Sequence, residues 1–107
     1  MRSRTQKAAE IFSLAKSYDI ITFPLKVSAD DNDLDAVIEI ESFLKKISET
    51  PEDRHIRILS LGNDVAVQIE NLIKSTTNNQ LKKMVTPLLE TMRVGNGQRT
   101  VQGREAE

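Results

Sequence analysis

Apolar residues recur through much of this chain at intervals of three and four, the spacing of amphipathic helices. The first such segment follows Thr5, a candidate N-cap, and contains Ala8, Ile11 or Phe12, and Ala15. A longer segment follows the polar cluster SADDND at residues 28–33 and ends near Ser48. Its apolar positions are Leu34, Val37, Ile38, Leu44 and Ile47. The pattern predicts two helices, separated by the stretch described next.

Residues 20–28, IITFPLKVS, alternate in the manner of a half-buried β-strand. Four apolar positions would share one face of that strand: Ile21, Phe23, Leu25 and Val27. The opposite face would carry Thr22, Pro24, Lys26 and Ser28. Because proline has no N–H to give to a sheet, the pattern predicts an edge strand or a lone strand.

The stretch from residue 50 to 75 can be interpreted in two ways. Thr50 followed by Pro51 and two acidic residues is typical of a helix start. A stripe of apolar residues then continues through Gly62: Ile58, Leu61, Val65, Ile69 and Leu72. We therefore expect one helix, kinked or closely packed at the glycine, which costs about 1 kcal/mol in a helix interior. The alternative is a strand over residues 55–61 that ends at Gly62.

A further helix is expected over LKKMVTPLLETM, residues 81–92, interrupted or restarted at Thr86 and Pro87. Residues 94–107 contain three glycines and little to bury, which predicts a flexible tail after a single domain at residues 1–93. The expected fold is mostly α, with one short strand and three to four helices. It would be ribbon-helix-helix-like or a small helical bundle.

Composition limits the classes of protein that fit. The 107 residues, 38% of them apolar, suit one modest core, and the absence of cysteine excludes disulfides and thiolate metal sites. A formal net charge of −1 gives no general attraction to nucleic acid or anionic lipid. No apolar run reaches the roughly 18 residues of a membrane span. We expect a soluble, cytoplasmic protein without a membrane role.

Candidate catalytic and metal-binding residues are few. Asp31, Asp33 and Asp35 have the spacing that opens a calcium loop, but Ala36 and Ser42 stand where that loop needs glycine and glutamate. The single histidine, residue 55, has no serine or cysteine partner at a recognisable spacing, and no glycine-rich phosphate loop is present. We expect neither an enzyme nor a metal or cofactor. Two basic pairs could meet phosphates, although such pairs usually lie on solvated helix faces: Arg54 with Arg57, and Lys82 with Lys83.

One amphipathic strand and two helices are predicted, in this order, over ITFPLKVSADDNDLDAVIEIESFLKK and TPEDRHIRILSLGNDVAVQIENLI. This order resembles that of the ribbon-helix-helix DNA-binding proteins. In that family two chains pair their strands into a ribbon that enters the major groove. The resemblance implies a DNA-binding homo-oligomer with Thr22 and Lys26 facing the groove. Arg54 and Arg57 would be further DNA contacts.

More specifically, LKVSADDNDLDAVIE, LSLGNDV and NNQLKKMVTPLLE resemble, in the same order, segments of the TraM family of plasmid relaxosome proteins. That resemblance implies C-terminal helices that oligomerise and bind a protein partner. Here the partner-binding residues would be Lys82, Lys83, Leu88 and Leu89.

Two other functions are compatible with the pattern. The first is a non-enzymatic helical adaptor, in which the segment at 20–28 only connects helices and the apolar stripes form a bundle or dimer seam. The second applies if residues 55–61 are a strand, because a strand-helix-strand-helix order would resemble the Alba nucleic-acid-binding proteins. Two apolar stripes and a lone strand also predict a dimer or higher oligomer.

Overall fold

All regular structure in residues 4–93, the part of the chain that the computed structural model describes, is α-helical. Five helices follow one another: α1 (Arg4–Ala15), α2 (Tyr18–Ser28), α3 (Asp31–Ser48), α4 (His55–Ser75) and α5 (Asn79–Met92). The expectation of a mostly helical fold is confirmed, whereas the strand and the count of three to four helices are wrong. The tail predicted at 94–107 lies outside the described residues.

Helix α4 is the centre of the core. It buries eight residues, Ile58, Leu59, Leu61, Gly62, Val65, Ala66, Ile69 and Leu72. Helices α1, α3 and α5 all pack against it, while α2 packs mainly on α3 and touches α5. Apart from Ile38, which stays exposed, the apolar stripes of α3 and α4 are therefore mostly covered within one chain. This removes part of the reason for expecting a dimer, although the oligomeric state itself stays a prediction.

Residues 20–28 form most of α2, so the predicted strand and its ribbon do not exist in this fold. Seven of the ten positions from 18 to 27 are apolar, and such a short run satisfies the period of a helix as well as that of a strand. The helical period is met by Tyr18, Ile21 and Leu25, which turn inward. Pro24 lies inside the helix on its exposed side, where the carbonyl of Ile20, which it cannot bond, can face water.

The helix that was expected to begin at Thr50 begins five residues later, at His55. The hydroxyl of Thr50 donates to the carbonyl of Lys46 at 2.8 Å, so this side chain completes the end of α3. Its predicted role as an N-cap of the next helix is wrong. The continuation of one helix through Gly62 is confirmed, and the alternative strand at 55–61, on which the Alba-like order depended, is wrong.

Candidate interaction surface

Helix α2 is held on α3 by a buried hydroxyl and a surface ion pair. The Oγ1 atom of Thr22, which is fully buried, lies 2.8 Å from Oε2 of Glu41 on α3 and 2.7 Å from the carbonyl of Tyr18. The Nζ atom of Lys26 lies 2.9 and 3.1 Å from the two carboxylate oxygens of the same glutamate. Because a buried hydroxyl needs a partner, these contacts fix which face of α2 turns inward.

The end of α2 is fixed by a second set of polar contacts. Asn78, the N-cap of α5, accepts from the N–H of Leu81 at 3.1 Å and donates its amide to the carbonyl of Ser28 at 2.9 Å. Beside it, the hydroxyl of Thr76 donates to Oδ2 of Asp33 at 2.6 Å and accepts from the N–H of Asn78 at 3.0 Å. The turn between α2 and α3 is thus joined to the turn between α4 and α5.

The opposite face of α2 presents apolar side chains to solvent. Ile20, Phe23 and Val27 are 72%, 64% and 70% exposed. They are three and four residues apart, so they lie side by side along the helix, and the exposed ring of Pro24 adjoins them. We call these four residues the α2 strip. A shallow depression at the N-terminal part of the strip is lined by Asp19, Ile20, Phe23 and Pro24.

Other exposed apolar residues of the described chain do not form such a group. Ile38 on α3 and Val67 on α4 are 46% and 44% exposed, and Ile56 in the first turn of α4 is 70% exposed. Isolated apolar residues on a surface are common, whereas contiguous patches are characteristic of binding sites. The α2 strip is therefore the surface that most needs a functional explanation.

The residues predicted to contact DNA do not lie together on one surface. Thr22 is buried and Lys26 is paired with Glu41, so neither side chain is placed on a free polar face. Arg54 and Arg57 are exposed at the start of α4, around a depression that His55 and Asp53 also line. They lie on a different helix from the other two residues.

The residues predicted to bind a protein partner divide between core and surface. Leu88 and Leu89 are only 6% and 8% exposed and belong to the hydrophobic core on α5. Lys82 is half-buried, and Lys83 is exposed one residue later. The four residues therefore do not form one accessible surface, although binding through the lysines stays a prediction.

The sequence pattern contained a signal for the α2 strip. Tyr18, Ile21 and Leu25 repeat at intervals of three and four, and so do Ile20, Phe23 and Val27. Two apolar stripes on one short helix cannot both turn toward the same core, so a helical interpretation would have predicted a surplus apolar face. The contacts of Glu41 and Asp33 were not detectable in the same way, because their partners are distant in sequence.

The ion pair on α2 makes stability depend on pH. The hydrogen bond from Lys26 lowers the pKa of Glu41 below its ordinary value of 4.5. The hydrogen bond from Thr22 and the charges of Lys26 and Lys45 also lower this pKa, whereas burial of the carboxylate raises it. A carboxylate whose pKa is lowered on folding stabilises the folded state above its unfolded pKa. That contribution is lost as the pH falls through the folded value.

We therefore expect Glu41→Gln to be less stable than the native chain at pH 7, and the difference to shrink as the pH falls below about 4. Urea denaturation followed by circular dichroism at several pH values measures this. Lys26→Met removes the principal cause of the lowered pKa of Glu41. Over the same pH range, the free energy of unfolding of this variant should therefore fall less than that of the native chain. A stability difference between Glu41→Gln and the native chain that is constant from pH 7 to pH 3 would contradict the assignment.

Neither a membrane span nor a metal site is found in the described part of the chain. Between residues 4 and 93 no helix combines the length and hydropathy needed to cross a bilayer. The same residues contain no group of three or more histidine, cysteine, aspartate or glutamate side chains placed to hold a metal ion.

Comparison of the chain with known protein families, with curated proteins and with solved structures found no match. The function is accordingly inferred from the chain's own side chains.

Proposed function

We propose that this chain is a non-enzymatic helical interaction module that binds another protein through the α2 strip. The observation that carries the proposal is the exposure of Ile20, Phe23 and Val27, each more than three-fifths exposed, on one face of one helix. Covering these side chains removes apolar surface from water, which is the main favourable contribution to protein association.

The strip is also presented on a rigid support. Its helix is anchored by the buried residues Thr22 and Leu25 and by the bonds to Glu41 and Asn78. A preformed surface loses little conformational entropy on binding, which favours affinity. Ridges of apolar side chains at this spacing are the form in which one helix packs against another.

Binding of DNA through a strand ribbon is not supported, because residues 20–28 lie in a helix. The two residues predicted to face the groove, Thr22 and Lys26, both contact Glu41 within the fold. The exposed arginines at the start of α4 follow Glu52 and Asp53, which are also exposed and would repel a phosphate. DNA binding by another surface stays a prediction, and a titration of random duplex DNA at low salt tests it.

The proposal is tested by placing a photo-crosslinking phenylalanine analogue at position 23 of the full chain in the cells that make it. The matched control carries the analogue at position 56, where Ile56 is as exposed as the residues of the α2 strip but lies on α4. We expect an adduct from position 23 alone, with a protein that is identified by mass spectrometry and then purified.

With that purified protein, Phe23→Gln should weaken binding at least about tenfold, since truncating a central aromatic of an interface commonly costs 1–2 kcal/mol or more. Ile56→Gln should leave the affinity unchanged. Both variants should keep the stability of the native chain within about 0.5 kcal/mol, because the positions are exposed. Equal binding by the native chain and Phe23→Gln would contradict the proposal.

A further inference from the structure

The charges at the two ends of the α2 strip are mostly negative. Asp19 is exposed at the N-terminal end, and Asp30 and Asp31 are exposed just beyond the C-terminal end. The lysine within the helix, residue 26, is already paired with Glu41. Lys16 precedes the strip, and its Nζ atom lies 5.2 Å from the ring centroid of Phe12 on α1. Apart from the paired Lys26, the charged residues within four positions of the strip along the chain are thus three exposed carboxylates and one cation, Lys16, which lies near an aromatic ring.

An acceptor also belongs to the strip itself. Pro24 lies inside α2 and has no N–H, so it cannot bond the carbonyl of Ile20, its expected helical partner. Ile20 and Pro24 are both exposed, so this carbonyl can face solvent, and Asp19 is the residue before Ile20. A positively charged side chain with several N–H donors can bond both the carbonyl of Ile20 and the carboxylate of Asp19. Arginine is such a side chain, because its planar guanidinium carries five N–H donors.

From these observations we infer that the partner of the α2 strip is an amphipathic helix whose apolar ridge is flanked at both ends by arginine or lysine. The inference rests on the proposed function. The ridge of Ile20, Phe23 and Val27 fits apolar residues spaced three and four apart on the partner. The acidic ends attract the basic flanks and set the register of the two helices.

A second copy of this chain fits less well. Pairing two strips by an antiparallel two-fold would bring Asp19 of one copy to the same end as Asp30 and Asp31 of the other, three carboxylates against one Lys16. Full coverage of three side chains of this size buries on the order of 400 Å², about half of the roughly 800 Å² that each partner gives to a standard interface. The strip thus suits a small, reversible contact, and its acidic ends also repel anionic lipid and nucleic acid.

The inference is tested with two fluorescent, alanine-rich helical peptides that have the same three leucines at intervals of three and four. One carries arginine on both flanks and the other carries glutamate. Titrated with the full chain and followed by anisotropy, the arginine peptide should bind at least about tenfold more tightly than the glutamate peptide, and about 0.5 M salt should remove most of that preference. Phe23→Gln should abolish binding of both, and Asp19→Asn with Asp31→Asn should reduce the preference.

The outcomes separate the inference from the function on which it rests. Equal binding of both peptides that is lost in Phe23→Gln would overturn the charged partner and leave the α2 strip as a docking surface. Binding of neither peptide, or binding that Phe23→Gln leaves unchanged, would overturn the inference, while a position-23 adduct would still uphold the function. If sedimentation shows that the native chain is a dimer and that Phe23→Gln is not, a second copy of the chain covers the α2 strip. If the native chain binds phosphatidylcholine vesicles and Phe23→Gln does not, a membrane surface covers the strip. Either result overturns the inference.

Discussion

Replacing Gly62 with leucine should lower the free energy of unfolding by about 3 kcal/mol, the upper end of the usual cost of overpacking a core. Gly62 is buried in the middle of α4, where α1 and the end of α5 approach it. A Cβ atom at this position would lie 2.8 Å from Cδ1 and 3.4 Å from Cγ2 of Ile11, and 3.5 Å from the carbonyl oxygen of Met92. The Ile11 side chain is fully buried and the Met92 atom belongs to the backbone, so neither can turn out into solvent to make room for a larger side chain.

The size of the side chain, and not the loss of glycine as such, should cause the effect. Gly62→Ala meets only the end of the Ile11 side chain, and alanine favours the helix by about 1 kcal/mol, so the two changes should nearly cancel. Asn63→Leu, at the exposed neighbouring position, is the matched control and should change stability by no more than about 0.5 kcal/mol.

The clash with α1 can be tested separately by a double-mutant cycle measured by urea denaturation. Ile11→Ala removes the two side-chain atoms of α1 that approach position 62, so its combination with Gly62→Leu should cost less than the sum of the single changes. A Gly62→Leu protein within about 1 kcal/mol of the native chain would show that α1, α4 and α5 do not meet at this glycine as described.

The long helices were predictable from the sequence because their apolar stripes are regular over many turns. In α4, the stripe from Ile58 to Leu72 continues across Gly62, and the same residues are buried in the fold. The alternative of a strand at 55–61 depended on local propensity and a glycine, and packing of the whole stripe outweighs both. The start of α4 was less predictable, since Thr50 can complete the preceding helix as well as cap the next one.

Helix α2 was mispredicted for a physical reason that also hides the candidate site. A strand interpretation of residues 20–28 places Phe23 and Val27 with Leu25 on one buried face, whereas the helix buries Leu25 and exposes the other two. Proline also disfavours the helical conformation of the residue before it, so Pro24 gave no local indication of a helix. The exposed strip could be found only once the helix was known.

The polar contacts that fix α2 and its neighbours could not have been predicted from periodicity at all. Asp33 resembled one of several carboxylates near a helix start, yet it is 6% exposed and bonds Thr76, 43 residues later. Such a contact depends on how two turns from distant parts of the chain meet, and no local pattern encodes that meeting. It nevertheless carries the second large effect that we expect.

Thr76→Val should lower the free energy of unfolding by about 3 kcal/mol, because it removes the donor to a buried carboxylate and the acceptor of a backbone N–H together. The hydroxyl of Thr76 donates to Oδ2 of Asp33 at 2.6 Å and accepts from the N–H of Asn78 at 3.0 Å. Valine has nearly the same shape as threonine, so packing should be preserved and the cost should come from the lost bonds. Thr76→Ser keeps the hydroxyl and should cost about 1 kcal/mol or less, the value of a methyl group.

The dependence on Asp33 follows from the same geometry. Asp33→Ala leaves the Thr76 hydroxyl without this acceptor and should be destabilising alone. In the Asp33→Ala background, Thr76→Val should cost less than it does in the native chain, because no buried carboxylate remains to lose its donor. The double variant should therefore fall short of the sum of the two single changes by at least about 1 kcal/mol. Stability measured by urea denaturation at neutral pH that is additive within about 0.5 kcal/mol would mean that the two turns are not joined by this bond. The end of α2 would then be joined to the α4–α5 turn through the bond from Asn78 to Ser28, without the neighbouring bond at Asp33, and the α2 strip would be held on a looser support than the fold implies.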